Sequence, residues 1–389
     1  MWVHNFDKVP NRKGTSSVKW DMTKTVFGRD DVLPMWVADM DFPPPPQVID
    51  ALKARLSHGI FGYTFTGEPL GEAVSAWMKD RHNWEIRKSW LLYSSGIVPA
   101  IATIINALTE KGDAVLMHSP VYTPFFSLVE KNERVVKKSP LKMKDGQYVV
   151  DFEKFEESLQ QGVKLFLLCS PHNPGGRVWK QDELVKMAEL CQKYNVLIVS
   201  DEIHADLVHK PNKHIPVSSI KNEFEDFILT LIAPSKTFNI AGLQASAMII
   251  PNQKLREKVA EEQQKQGVFT LNTFGVVGME TAYLYGGEWL DSLLSYLQEN
   301  IRLVKSFVEK ELPELTVMEP EATYLLWIDF SQLGKSEKEL EDLLLNKGKL
   351  ALEPGTKYGK DGDGFFRMNI ACTRETLKEG LARLKKAFS

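Results

Sequence analysis

The chain has 389 residues, a formal net charge of −3, and an ordinary globular mix of 43% hydrophobic and 25% charged residues. That length accommodates two domains and a substantial core, and the near-balanced charge argues against nucleic acid or an acidic membrane surface as partner. No run is long and apolar enough to span a bilayer, the start from Met1 to Asp7 has no apolar core of signal-peptide type, and three scattered cysteines (Cys169, Cys191, Cys372) predict a reducing, cytoplasmic setting without disulfides.

Residues 1–45 read as irregular and run into Pro43 to Pro46, which is expected as an extended connector. Val48, Ile49, Leu52 and Leu56 then share one helical stripe, and 68–82 is a second helix. Short apolar runs alternate with helical ones from there. Strand 90–93 precedes a helix after Gly96 through Ile101, Ile104, Ile105 and Leu108; strand 114–117 precedes a helix over 122–131. Strand 164–168, helix 182–194 and strand 196–199 follow, then strands 227–232 and 246–250. This alternation predicts an α/β fold, a mostly parallel sheet covered on both faces. An amphipathic stretch over 288–312 ends the sheet unit. Strand 322–328, a helix from N-cap Ser336 to Asn346, strand 365–369 and a terminal helix then predict a second, α+β unit.

In an open α/β sheet, ligand-contacting residues gather beyond the carboxyl ends of strands. Four candidates fall there: the turn Ser94-Ser95-Gly96, Asn173, Asp201 and Lys236. Each has an ordinary reading alone. The glycine turn can merely connect, Asn173 can belong to a loop shaped by prolines and glycines, Asp201 can cap, and Lys236 can be solvated. Tyr122 can be core and Arg367 salt-bridged. Together they point to one chemistry. Lys236 and Asp201 are the pair a pyridoxal phosphate enzyme needs, a lysine for the Schiff base and a carboxylate that keeps the pyridine nitrogen protonated. A glycine turn opening a helix offers N–H groups to a phosphate, and a guanidinium such as Arg367 suits a substrate carboxylate. No metal site is expected. His204, His209 and His214 lack zinc spacing, and the loop from Asp361 to Gly364 has Cys372 where a calcium loop needs glutamate. No Gly-x-Gly-x-x-Gly follows a strand.

At these residues the chain resembles the fold-type-I pyridoxal phosphate enzymes of the class I/II aminotransferase superfamily, over essentially its whole length. The resemblance implies a large domain with a mostly parallel seven-stranded sheet over 46–287 and a small α+β domain over 288–389, joined by the N-terminal segment 1–45. It also implies a homodimer with shared active sites. Lys236 matches the Schiff-base lysine, Asp201 the pyridinium partner, Asn173 the donor to the phenolate oxygen and Tyr122 the ring-stacking residue. Gly96, Ile97 and Ser235 match phosphate-binding positions, and Tyr63 the tyrosine that reaches the neighbouring subunit's phosphate. Arg367 matches the α-carboxylate arginine. Within the superfamily, three runs look like the MalY/PatB branch of cystathionine β-lyases: Met35 to Phe42, Asp201-Glu202-Ile203-His204, and Ser235 to Gln244. The run Leu352 to Gly359 fits as well. This likeness adds Ala38 to the substrate-binding residues and His204 to the cofactor-binding ones. His204 stands where many aminotransferases have tyrosine, and Gln244 where many have an arginine that pairs with the phosphate.

The implied reaction is β-elimination from L-cystathionine or another cysteine S-conjugate, giving pyruvate, ammonia and a thiol such as homocysteine. Lys236 would be the base, with Lys236 or Tyr122 protonating the departing sulfur. An aminotransferase is the alternative, since the two reactions share their first steps. A regulatory protein-binding role beside catalysis ranks third.

Overall fold

The computed structural model describes residues 4–389; Met1 to Val3, which open the N-terminal segment, lie outside the described residues. That segment is less irregular than its sequence suggests. Val18–Asp21 (α1) is capped by the Ser17 side chain accepting from Trp20 N, and Thr23–Phe27 (α2) ends at Gly28 with a φ of 69°. Leu33–Pro34 forms a short strand, β1. The proline run is a connector only as far as Pro45. Pro46 opens α3 (Pro46–His58), where a missing N–H costs nothing. Helix α4 spans Glu68–His82, as its periodicity predicts.

Next come β2 (Leu91–Ser94), α5 (Ile97–Leu108), β3 (Ala114–Ser119) and α6 (Pro124–Lys131). Helix α6 starts two residues later than expected, with Pro124 in its first turn. The chain continues through β4 (Val135–Lys144), β5 (Gln147–Val150), α7 (Phe152–Leu159), β6 (Val163–Cys169), α8 (Gln181–Lys193) and β7 (Leu197–Asp201). Then follow β8 (Ile228–Ile232), α9 (Pro234–Thr237), β9 (Ser246–Ile249), α10 (Gln253–Lys265), α11 (Thr273–Tyr285) and α12 (Gly287–Glu311).

Strands order as β2-β9-β8-β7-β6-β3-β4-β5. From β8 to β4 neighbours are parallel, while β9 is antiparallel to both β2 and β8. The sheet therefore has eight strands and not the expected seven. The extra strand, β5, folds back on the end of β4 across Asp145 (φ 49°) and Gly146 (φ 76°), and a two-residue turn with both φ values positive matches strand twist. Along β3 and β6 the side chains alternate between two cores. Val115, Met117, Leu165 and Leu167 pack with Ile101 and Ile104 of α5; Leu116, Phe166 and Leu168 pack with Leu184 and Met187 of α8. Helices thus cover both faces, and the carboxyl ends of the strands stay open to a ligand.

The last stretch holds β10 (Thr316–Val317), β11 (Leu325–Asp329), α13 (Glu337–Asp342), β12 (Leu350–Ala351), β13 (Glu353–Pro354), β14 (Phe365–Asn369) and α14 (Arg374–Phe388). Strands β10-β11-β14-β13 form an antiparallel sheet. Strand β11 begins at Leu325, later than expected, because Thr323 has a φ of 72° and turns the chain, its hydroxyl accepting from Leu325 N at 3.1 Å. Ser336 caps α13 in a reciprocal box with Glu339, and a π-helical turn (Leu343–Gly348) continues it past the predicted end at Asn346. Leu33 of β1 pairs in parallel with Leu350 of β12, so the two chain ends meet.

Candidate active site

One cavity of about 680 Å³ opens at the carboxyl ends of the central strands. Its lining includes Ser95, Gly96 and Ile97 after β2, Tyr122 after β3, Asn173 after β6, Asp201 and His204 after β7, and Ser235 and Lys236 after β8. Ala38 and Arg367 enter it from the N-terminal segment and from β14. A larger cleft of about 1370 Å³ lies over His82, Asp206 and His214, but it holds none of these strand-end residues.

Every predicted site residue except Tyr63 is brought into this one space. Tyr63 is fully exposed and stands outside it, within the same protomer.

Sheet geometry explains the convergence. Asp201 sits opposite Cys169 of β6 and Leu231 of β8, so its carboxylate and the lysine four positions past β8 emerge side by side. Pro234 starts α9 and holds Lys236 in a short helical turn. The Lys236 amine donates to the carbonyl of Ala38 at 2.7 Å. Burial, reinforced by the positive charge of Arg367, lowers its pKa to about 8. A buried amine of this kind is partly neutral near pH 7, and so can act as nucleophile and base.

Asp201 is almost wholly buried and accepts a hydrogen bond from Ile203 N at 3.1 Å. Burial pushes its carboxyl up to about 7 against that bond and the pull of Lys236. His204 is likewise buried; loss of hydration, then the charges of Lys236 and Arg367, lower it to about 3, so its ring is neutral. Tyr122 is pushed up to about 12, first by burial and then by Asp201, and keeps its phenolic proton.

Arg367 is buried. Its Nη1 donates to Asn173 Oδ1 at 3.1 Å, and its Nη2 to the Trp36 carbonyl at 2.9 Å and to the Glu353 carboxylate. The salt bridge considered as its ordinary reading is therefore present, alongside its place in the cavity.

These residues fit a pyridoxal phosphate. Among the described residues, two buried polar atoms of the lining have no hydrogen-bond partner, His204 Nδ1 and Arg367 Nε. Asp201 is a carboxylate in want of a cation. At the start of α5, Gly96 adopts a φ of 153°, which only glycine takes readily, and no side chain caps the helix, so its first N–H groups are free for an anion. Gln244 also lines the cavity, which leaves the anion site to backbone donors and Ser235.

Several groups at the site are not among the residues singled out in the sequence. Glu353 comes from β13, Lys357 and Tyr358 from the turn after it, and behind the lining Tyr324 donates its hydroxyl to the Ala38 carbonyl at 3.1 Å. Arg12 bonds both oxygens of Asp39, at 3.0 and 2.6 Å, and so fixes the segment carrying Ala38. Glu353, Lys357 and Tyr358 all lie in the run Leu352 to Gly359, whose likeness to the lyase branch is the signal the sequence offers for them.

Residues 30–384 match the family model for aminotransferases of class I and II. The chain is 50% identical over 386 residues to cystathionine beta-lyase PatB of Bacillus subtilis (strain 168), covering 99% of this chain and all of PatB. Cystalysin from Treponema denticola, whose structure contains pyridoxal 5'-phosphate, superposes with a TM-score of 0.96 at 38% identity, over 99% of this chain and 98% of cystalysin. The PLP-bound C-S lyase from Staphylococcus hominis gives 0.93 at 34% identity, again over 99% and 98%.

Proposed function

The chain belongs to the aminotransferase class I and II family, and we propose that it is a pyridoxal phosphate-dependent carbon–sulfur β-lyase. It cleaves L-cystathionine, and other cysteine S-conjugates, to pyruvate, ammonia and a thiol. The observation that carries the reading is the meeting of Lys236, Asp201 and Arg367 in one cavity. The choice of lyase over aminotransferase is supported by the full-length likeness to PatB and by His204 and Gln244 lining that cavity.

Bound pyridoxal phosphate supplies an electron sink conjugated to the substrate Cα. The chain's own residues do the rest. Lys236 would hold the cofactor through its amine, and that amine, when neutral, would take the Cα proton. Asp201 holds a proton at the ring nitrogen, and a cation there offsets the cost of burying its carboxylate. Asn173 would donate to the cofactor's phenolate oxygen, His204 would join the residues that hold the cofactor, and Tyr122 would stack on its ring. The backbone of Gly96 and Ile97, with Ser235, receives the phosphate. Arg367 grips the α-carboxylate, which orients the Cα–H bond towards Lys236. As the C–S bond breaks, sulfur takes a proton from Lys236 or from Tyr122, which still carries its own.

A homodimer is part of this proposal. Leu56, Ile60, Phe61, Tyr63 and Phe65 are exposed apolar side chains in one segment, and the Phe61 ring leans on Phe274 in a tilted contact, centroids 5.6 Å apart. A second protomer covering this surface would bring Tyr63 to its neighbour's phosphate. The division at 45/46 and 287/288 is proposed on the two separate sheets, and a cytoplasmic location on three buried, unpaired cysteines. The test is product analysis with L-cystathionine and pyridoxal phosphate, without a keto acid. Equal pyruvate, ammonia and thiol support the lyase. No pyruvate, but amino transfer once 2-oxoglutarate and an amino donor are added, makes it an aminotransferase.

A further inference from the structure

We propose that Glu353 and Lys357 form a subsite for the far amino-acid head of a substrate with two such heads joined through sulfur. The inference rests on the lyase reading of the same cavity. Glu353 stands directly across β13 and β14 from Arg367, so the two side chains share one face. Its Oε2 is taken by Arg367 and by the Tyr358 hydroxyl at 2.7 Å. Among the described residues its Oε1 faces only the Lys357 ammonium, at 3.7 Å, beyond hydrogen-bond length. Lys357 is 40% exposed at the cavity rim, with its ammonium 5.9 Å from the Trp36 ring centre.

One carboxylate oxygen and one ammonium therefore stand side by side, each with hydrogen-bonding capacity to spare. An amino-acid head presents the complementary pair, an ammonium for Glu353 Oε1 and a carboxylate for Lys357 Nζ. Arg367 meanwhile holds the near carboxylate, and the few bonds running through sulfur bridge the two. The subsite is rigid. Thr123 Oγ1 donates to the Lys357 carbonyl at 2.7 Å, Val121 N to the Tyr358 carbonyl at 2.9 Å, and Thr356 N donates to Glu337 at 2.9 Å. A Cβ on Gly355 would lie 1.9 Å from the Gly362 carbonyl oxygen, so the turn admits no side chain there.

The test compares L-cystathionine with S-methyl-L-cysteine, which has no far head, on the holoenzyme and on Lys357→Met. For L-cystathionine kcat/KM should fall about tenfold, through KM, as expected for one lost charged hydrogen bond. S-methyl-L-cysteine should change far less, and Lys357→Arg should recover most of the loss. Equal losses on both substrates, or none on L-cystathionine, overturn the subsite. If the parent enzyme releases no pyruvate from either compound, the lyase reading fails. The subsite is then read from L-cystathionine affinity, followed by the cofactor's absorbance: an unchanged Kd in Lys357→Met rejects it, and a weakened one upholds it.

Discussion

His82 Nε2 donates to Asp206 Oδ1 over 2.7 Å, and both side chains are almost fully buried. The same carboxylate accepts from Trp77 Nε1 at 2.9 Å and from Thr237 Oγ1 at 2.8 Å. Thr237 follows Lys236, so Asp206 ties α4 to the turn that carries the lysine. Burial works against the charge on Asp206, but these donors outweigh it and hold its carboxyl below the usual range. Asp206→Asn should cost about 3 kcal/mol of stability, the scale of charged hydrogen bonds lost in a dry site, and should lower kcat as well. Urea midpoints check the first and turnover the second; an unshifted midpoint would mean that the tie carries no energy.

Lys236→Ala should abolish turnover and the visible absorbance of the linked cofactor while leaving the far-ultraviolet circular dichroism intact. In the parent protein, capture of the cofactor needs a neutral amine. Its rate should therefore rise with pH through about 8, where Lys236 loses its proton. Stopped-flow mixing of apo-protein with pyridoxal phosphate gives the profile, and a midpoint near the ordinary lysine value would contradict the burial effect.

Arg367→Ala should keep the cofactor colour and raise KM, with kcat/KM falling by about two orders of magnitude, since two charged hydrogen bonds to the α-carboxylate are lost. It should also destabilise the fold, because Glu353 is left without its main partner. A colourless protein would instead place Arg367 among the cofactor's supports.

His118 and His172 are buried neutral. Loss of hydration lowers His118 to about 4 and His172 to about 3, with the neighbouring His118 the next cause for the latter. Once unfolded, both take up protons near the ordinary histidine value. The unfolded chain then binds more protons, so stability is full above that value and drains as pH falls towards the folded values. Each histidine contributes a slope of about 1.4 kcal/mol per pH unit in that window. His118 packs edge-on against Phe166 at 5.1 Å, so His118→Phe should fit and remove one share of the slope. Denaturant midpoints between neutral and mildly acid pH read it, and an unchanged slope would refute the neutral burial of His118.

Strands buried on both faces were legible in the sequence, because β6, β7 and β8 are built mainly of apolar residues. Helix α3 was legible too, from the stripe of Val48, Ile49, Leu52 and Leu56. The hairpin β4–β5 was not, since Lys137, Lys138, Lys142 and Lys144 make half of β4 look like solvent-facing chain. Its Asp145-Gly146 turn was nonetheless in plain view. Helices α1 and α2 are too short to show a period. In the site, strand-end residues could be found from topology. Glu353 and Arg12 could not, because their importance comes from partners far along the chain, Arg367 and Asp39. The role expected of Tyr63 rests on resemblance alone, since the residue is fully exposed in its own protomer.

The cavity draws its walls from Val18 towards one end of the chain to Arg367 towards the other, and β2 finds its sheet partner only in β9 among the described residues. A nascent chain that has just left the ribosome as far as Lys236 therefore owns the reactive amine but neither β9, the partner of the strand that leads into α5, nor the arginine. Contacts so distant in sequence close late and slowly. Cofactor capture is then an event of the finished polypeptide, and a chain cut short before β14 should gain nothing from added vitamin, however much is supplied.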